Sequence, residues 1–167
     1  MPWQLRFVNL VFSTKVQKQY REAVENLVFL NPRQYRVRDG IVDALKKFGQ
    51  PWLEEKDGDI YLRAGDKDAQ TLFAFDGSLM GGNPVGVVVF LRSSPTEMVI
   101  MHLAVHPDYA LQGRRGGLGL GLMLIEKVKE IASRIVGIRH IVLYYQQGIV
   151  IKFEIEMPEH RLNLNGS

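Results

Sequence analysis

Residues 100–125 read IMHLAVHPDYALQGRRGGLGLGLMLI, and this stretch decides the fold. The segment up to Val105 is mostly apolar and β-prone, so it reads as a buried strand. A turn containing Pro107 follows, and then a loop with Arg114, Arg115 and a cluster of glycines. Apolar residues then return at helical spacing from Leu118 onward. Strand, Gly/Arg loop and helix in this order suit a phosphorylated cofactor. A helix N-terminus offers unpaired N–H groups and a partial positive charge. Glycines let an anion approach that backbone, and arginines add charge-assisted donors. Tight helix–sheet packing could also explain Gly116, Gly117, Gly119 and Gly121, but the paired arginines favour the anion cradle. A Gly-Lys-Ser/Thr phosphate loop is absent. A dinucleotide fingerprint would want an acid at the end of the next strand, which here reads IVLYYQQ.

Working outward, the helix runs over 118–136, with Leu118, Leu122, Ile125, Val128, Ile131, Ala132 and Ile135 as its apolar face. Glu130 and Arg134 fall at i,i+4 on the polar face. Gly137 stands where a left-handed cap would end the helix. A strand over 141–145 then lies parallel to 98–105 by the right-handed crossover rule, and 149–155 reads as one more strand. Upstream, 71–75, 85–91 and 98–105 form an antiparallel meander with turns at 76–84 and 93–95. A strand over 5–12 opens the chain. A helix capped by Ser13 or Thr14 follows to about residue 30, and a second helix, capped by Asp39, spans 40–48. The acidic segment 52–68 reads as solvated turns around a short strand at 60–64; a site attracting a cationic amine is the sharper alternative.

The chain of 167 residues fits one domain, with 58–158 as sheet and cofactor core and 159–167 as a frayed tail. The apolar fraction of 46%, the charged fraction of 23% and the net charge of +3 are those of an ordinary globular protein. No clustered basic face suggests nucleic acid. No run approaches the roughly 20 apolar residues of a membrane span. The N-terminal residues are too interrupted for a signal peptide. There is no cysteine, which removes disulfides, thiolate metal sites and a Cys nucleophile and fits a reducing, cytoplasmic setting. No metal site is expected.

At these residues the chain resembles the GNAT superfamily of acyl-CoA-dependent N-acyltransferases. Leu103-Ala104-Val105-His106-Pro107-Asp108-Tyr109 is similar to that family's central strand end and turn. Arg114-Arg115-Gly116-Gly117-Leu118-Gly119 resembles its Arg/Gln-x-x-Gly-x-Gly/Ala loop, and Asn83–Val88 the preceding strand with its glycine. The resemblance covers roughly 71–145. It implies an α/β fold: a mixed, mostly antiparallel sheet with one parallel strand pair and helices on both faces.

It also implies an N-acetyltransferase that moves the acetyl group of acetyl-CoA to a primary amine by direct attack, through a tetrahedral intermediate and no covalent enzyme species. The acceptor would be a small-molecule or peptide amine. Backbone groups of Leu103, Ala104 and Val105 would hold the pantetheine arm and polarise the thioester. The amides from Arg115 to Gly119, with Arg114, would hold the pyrophosphate. Four residues, 110–113, lengthen the usual spacing, so Gln112 and Gly113 could begin the cradle. The helix that usually follows the last parallel strand, often carrying the tyrosine that protonates the thiolate, is not evident after Tyr145. The sequence then leaves an open sheet edge that a second subunit could complete, as a homodimer. It equally allows a non-catalytic acyl-CoA-binding module.

The reaction needs a base and an acid. Tyr144 and Tyr145 end the parallel strand, and alternation lets at most one face the cleft. Glu97 opens the central strand and is a candidate base acting through water. His102 has a suitable pKa, but an apolar run favours a core histidine, and its parity opposes that of Glu97. His106 reads as part of the turn.

Overall fold

The computed structural model describes residues 10–29, 49, 51–64, 69–77, 83–109, 119–146 and 149–155, with backbone alone at 64, 144–146 and 149. The described elements are β1 (Leu10–Ser13), β2 (Val16–Gln17), α1 (Arg21–Val28), β3 (Pro51–Lys56), β4 (Asp59–Ala64), β5 (Gln70–Asp76), β6 (Pro84–Ser94), β7 (Glu97–Val105), α2 (Leu120–Ser133), β8 (His140–Gln146) and β9 (Ile149–Glu154). Single 3-10 turns precede α1 at Lys18–Tyr20 and follow β7 at Pro107–Tyr109.

Six strands form one sheet in the order β1-β5-β6-β7-β8-β9. All neighbours are antiparallel except β7 and β8, which run parallel. The fold is thus a mixed, mostly antiparallel α/β sheet with one parallel pair. Central strand β6 is apolar almost throughout because both of its faces are covered. Val87, Val89 and Leu91 join Val24, Leu27 and Val28 of α1 on one side. Val88 and Phe90 join Leu120, Leu124 and Val128 of α2 on the other.

The meander β5-β6-β7, the parallel β8 and the strand β9 stand where the sequence suggested. Three expectations change. Ser13 ends a strand and Val16–Gln17 form β2, so α1 begins only at Arg21. Leu122 is 66% exposed; the buried stripe of α2 is Leu120, Leu124, Ile125, Val128 and Ala132. The rest of the described expected face stands, with Ile125, Val128 and Ala132 buried and Ile131 and Ile135 packed against the same cluster; Leu122 alone is misplaced, because it is apolar but lies off the row of Leu120, Leu124 and Val128. In the acidic segment the expected strand at 60–64 is present as β4, while residues 65–68 lie outside the described residues. What precedes β4 is a second strand and not turns alone: β3 and β4 form a hairpin, and with β2 they make a second sheet in the order β2-β4-β3. Its turn is Asp57-Gly58, both with positive φ (54° and 81°), the conformation that a two-residue hairpin of right-handed twist requires. Three of its acids are paired with the chain's own cations. Lys15 meets Asp59 at 2.8 Å, Arg63 meets Glu54 at 2.8 Å, and Arg21 approaches Glu55 at 3.7 Å. The strand start before residue 10, the second helix over 40–48 and the tail lie outside the described residues.

Candidate cofactor cleft

The parallel ladder is short. Its pairs are Glu97↔His140, Met98↔Ile141, Val99↔Val142 and Ile100↔Leu143, and it stops there. Beyond it β7 continues to Val105 on β6, and β8 continues to Gln146 on β9. The sheet therefore opens between β7 and β8 toward their C-terminal ends.

The phase of the β6–β7 ladder shows which backbone groups face this opening. The His106 amide donates to the Val85 carbonyl at 2.8 Å. Antiparallel pairs alternate between bonded and non-bonded, so Ala104, opposite Val87, bonds β6 while Leu103 and Val105 turn their amide groups to the β8 side.

Helix α2 starts at the mouth of the same opening. Gly119 takes φ 59° and ψ 40°, a left-handed conformation that favours glycine. A Cβ built there would meet nothing, so conformation and not space demands the glycine. The first turn packs on the central strands: a Cβ on Gly121 would lie 3.8 Å from Val105 Cγ2. One on Gly86 would lie 3.0 Å from Leu124 Cδ1 and 3.2 Å from Leu120 Cδ2. Any side chain at 86 would press on these two leucines, which would have to give by a few tenths of an ångström. The N-terminal amides of α2 are in this way set beside the open end of β7.

The turn leaving β7 is pinned. Asp108 donates its N–H to His106 Nδ1 at 3.1 Å, and the Tyr109 N–H bonds the His106 carbonyl at 2.8 Å. The Tyr109 hydroxyl donates to Asp76 Oδ2, and both side chains are buried. His106 is a turn residue, as expected. The Asp76–Tyr109 pair escaped the sequence reading, which placed Asp76 in a loop; no spacing rule links two residues so far apart.

The opposite, closed end is clamped. Glu97 Oε2 lies 2.9 Å from His140 Nε2, and its Oε1 accepts from Ser93 Oγ at 2.8 Å. The Thr96 carbonyl accepts the Arg139 N–H at 2.8 Å. Arg92 reaches the carbonyls of Pro95 and Val136 at 2.7 and 3.1 Å. Glu97 is thus six residues from Leu103, roughly 20 Å along an extended strand, and its carboxylate is out of reach of a group held there. As a candidate base it is withdrawn.

His102 is 8% exposed, and burial pushes its pKa down to about 4. Its parity is not the one alternation gave. The register passes from Val89↔His102 to Phe90↔Ile100, so Met101 is an extra, bulged residue. His102 then shares the α1 face with Val89, and with Glu97, but is buried well away from it. A second register shift lies between Tyr144 and Gln146. Strict alternation therefore does not separate Tyr144 from Tyr145. Both lie on β8 just past its last pairing with β7. Of the expected cradle, Gly119 is described, whereas Gln112, Gly113, Arg114, Arg115, Gly116, Gly117 and Leu118 lie outside the described residues.

A family model for the acetyltransferase (GNAT) family matches residues 38–148. That is well over half of the chain, and the chain belongs to the GNAT acetyltransferase family. No curated protein matches it. Among solved structures it is similar to an acetyltransferase from Streptococcus agalactiae, with TM-score 0.48, 16% identity and coverage of 82% of this chain and 73% of the other. It is likewise similar to a GNAT-family protein from Desulfovibrio desulfuricans, with TM-score 0.48, 16% identity and coverage of 88% and 99%. A Bacillus anthracis structure in complex with acetyl coenzyme A matches with TM-score 0.36, 16% identity and coverage of 60% and 69%. At these TM-scores the likenesses add nothing to what the family match establishes. Among the described residues no helix is long and apolar enough to cross a membrane.

Proposed function

We propose that the protein is an acetyl-CoA-dependent N-acetyltransferase acting on a primary amine. The observation that carries this reading is the short β7–β8 ladder, which turns the amide groups of Leu103 toward an opening beside the α2 N-terminus. A strand edge of this kind suits an extended, amide-bearing arm such as pantetheine. A helix N-terminus beginning at a left-handed glycine suits the pyrophosphate. In this reading Leu103, Ala104 and Val105 flank the arm. Gln112, Gly113, Arg114, Arg115, Gly116, Gly117, Leu118 and Gly119 form the cradle.

The acyl donor supplies an activated carbonyl. The amine nitrogen forms the C–N bond to that carbon while its lone pair is free of a proton. A backbone N–H of β7 meets the negative charge that develops on the carbonyl oxygen. The C–S bond then breaks, the nitrogen releases the proton it carries in excess, and the thiolate takes one up. Tyr144 and Tyr145, on the diverging part of β8, are the proposed donors. The base is unassigned once Glu97 is withdrawn. Thiol release from acetyl-CoA over a panel of amines tests the proposal: release that depends on an amine supports it.

One observation favours a second reading, a non-catalytic acyl-CoA-binding module. Directly after β8 the chain turns back as β9, where the family resemblance led us to look for a helix carrying an acid. Saturable acetyl-CoA binding with no turnover on any amine would select that reading.

A further inference from the structure

We propose that β9 is the interface of a homodimer in which two copies pair their β9 strands antiparallel about a twofold axis through Phe153. This stands apart from the catalytic reading. β9 is the last strand of the sheet order, and among the described residues no strand pairs with its outer edge. Such an edge is a template for another chain. The phase of this edge is fixed: the Ile155 N–H donates to the Arg139 carbonyl at 2.8 Å. By alternation Ile151 and Phe153 bond β8, whereas Val150, Lys152 and Glu154 turn their amide groups outward.

A second copy can add only in registers that set outward residues opposite outward residues. Lys152 opposite Lys152 would place two ammonium groups together. Lys152 opposite Val150 would leave both charges without a cross-strand partner. With Phe153 on the axis, Lys152 stands opposite Glu154 of the second copy, and the symmetry makes this pair twice. Like charges directly opposite destabilise a sheet and unlike charges support it, so the sequence of this edge selects one register. Lys152 and Glu154 are exposed at 55% and 73% on one face and lie 3.7 Å apart within the chain, ready to exchange partners. On the other face Phe153 lies under the Lys129 ammonium, 4.7 Å from its ring centroid. On the axis the two Phe153 residues form a non-hydrogen-bonded pair, with Cα atoms about 4.5 Å apart. The contact is isologous and closes at two copies.

The test is sedimentation velocity on the full chain across a concentration series. Wild type should be a dimer. Lys152→Glu and Glu154→Lys should each raise the dissociation constant about tenfold or more, and the double variant should restore the dimer. This rescue also shows that neither exposed substitution has unfolded the chain. Phe153→Cys should cross-link to itself under mild oxidation, because a Cα separation of about 4.5 Å suits a disulfide and the chain has no other cysteine. Val150→Cys should not. A wild-type monomer at all concentrations would overturn the proposal. So would a dimer indifferent to both single reversals, or one that fails to cross-link through Phe153→Cys.

Discussion

The hydroxyl of Tyr109, in the turn that leaves β7, donates a hydrogen bond to the carboxylate of Asp76 at the end of β5, and both residues are buried. The turn leaving β7 is thereby fastened to β5, across the intervening β6. Tyr109→Phe removes the donor and keeps the ring. Hydrogen bonds to charged groups are worth roughly 1.5–3 kcal/mol, so thermal unfolding should shift down by several degrees. Acetyl-CoA affinity should fall with it. Unchanged Tm would show that the bond does not anchor the turn.

Gly86→Ala sets a methyl group 3.0 Å from Leu124 Cδ1, against a helix whose Leu120 and Leu124 are fully buried. Overpacking of this kind costs about 1–3 kcal/mol. Leu120 and Leu124 must then give way, and if the helix moves with them titration calorimetry should show weaker acetyl-CoA binding than stability alone explains. Binding at wild-type affinity would detach the helix N-terminus from the cofactor site.

The phase of α2 is checked by two truncations. Leu124→Ala empties a fully buried site and should cost about 2–5 kcal/mol in denaturant unfolding. Leu122→Ala, at a residue 66% exposed, should stay within about 0.5 kcal/mol of wild type. Comparable losses at both positions would return Leu122 to the buried face.

These cases show what the sequence carried and what it did not. Apolar runs and helical spacing were enough for β5, β6, β7, α2 and β8 and for the parallel pair, since burial on two faces writes itself into composition. The Asp57-Gly58 hairpin was legible in its turn residues but was masked by the charge of β3 and β4, three of whose acids pair with Lys15, Arg21 and Arg63. The bulge at Met101 was not legible. An extra residue in a ladder depends on the partner strand, and it reversed the face of His102. That Glu97 begins the central strand was legible, but that this end is the closed one needed the register, in which Glu97 pairs with His140.

His102 makes a prediction about pH. Its pKa lies at about 4 in the folded chain and near 6.5 when unfolded. Between those values the unfolded state binds more protons, so stability rises with pH through this window and is lost as pH falls from about 6.5 toward 4. The contribution amounts to about 3 kcal/mol. His102→Gln should flatten this part of the stability–pH curve relative to wild type, as followed by urea unfolding. Parallel curves would mean that His102 is not buried in its neutral form.

Glu97→Gln separates a structural acid from a catalytic one. Loss of a general base lowers turnover by about 10²–10⁴-fold. At the closed end of the ladder, bonded to Ser93 and near His140, Glu97 should show a lower Tm on substitution without a loss of that size. A large fall in kcat with unchanged Tm would return it to the reaction.

The most direct test of the cofactor cleft is a thermal-shift titration with acetyl-CoA, comparing wild type with Arg114→Ala/Arg115→Ala. A ligand bound only to the folded state stabilises it by about 2.7 kcal/mol at a hundredfold excess over Kd, which is a rise of several degrees for a chain of this length. The account predicts a saturable rise for wild type that is weakened in the double variant. No rise at saturating acetyl-CoA, or an equal rise in both proteins, would contradict it.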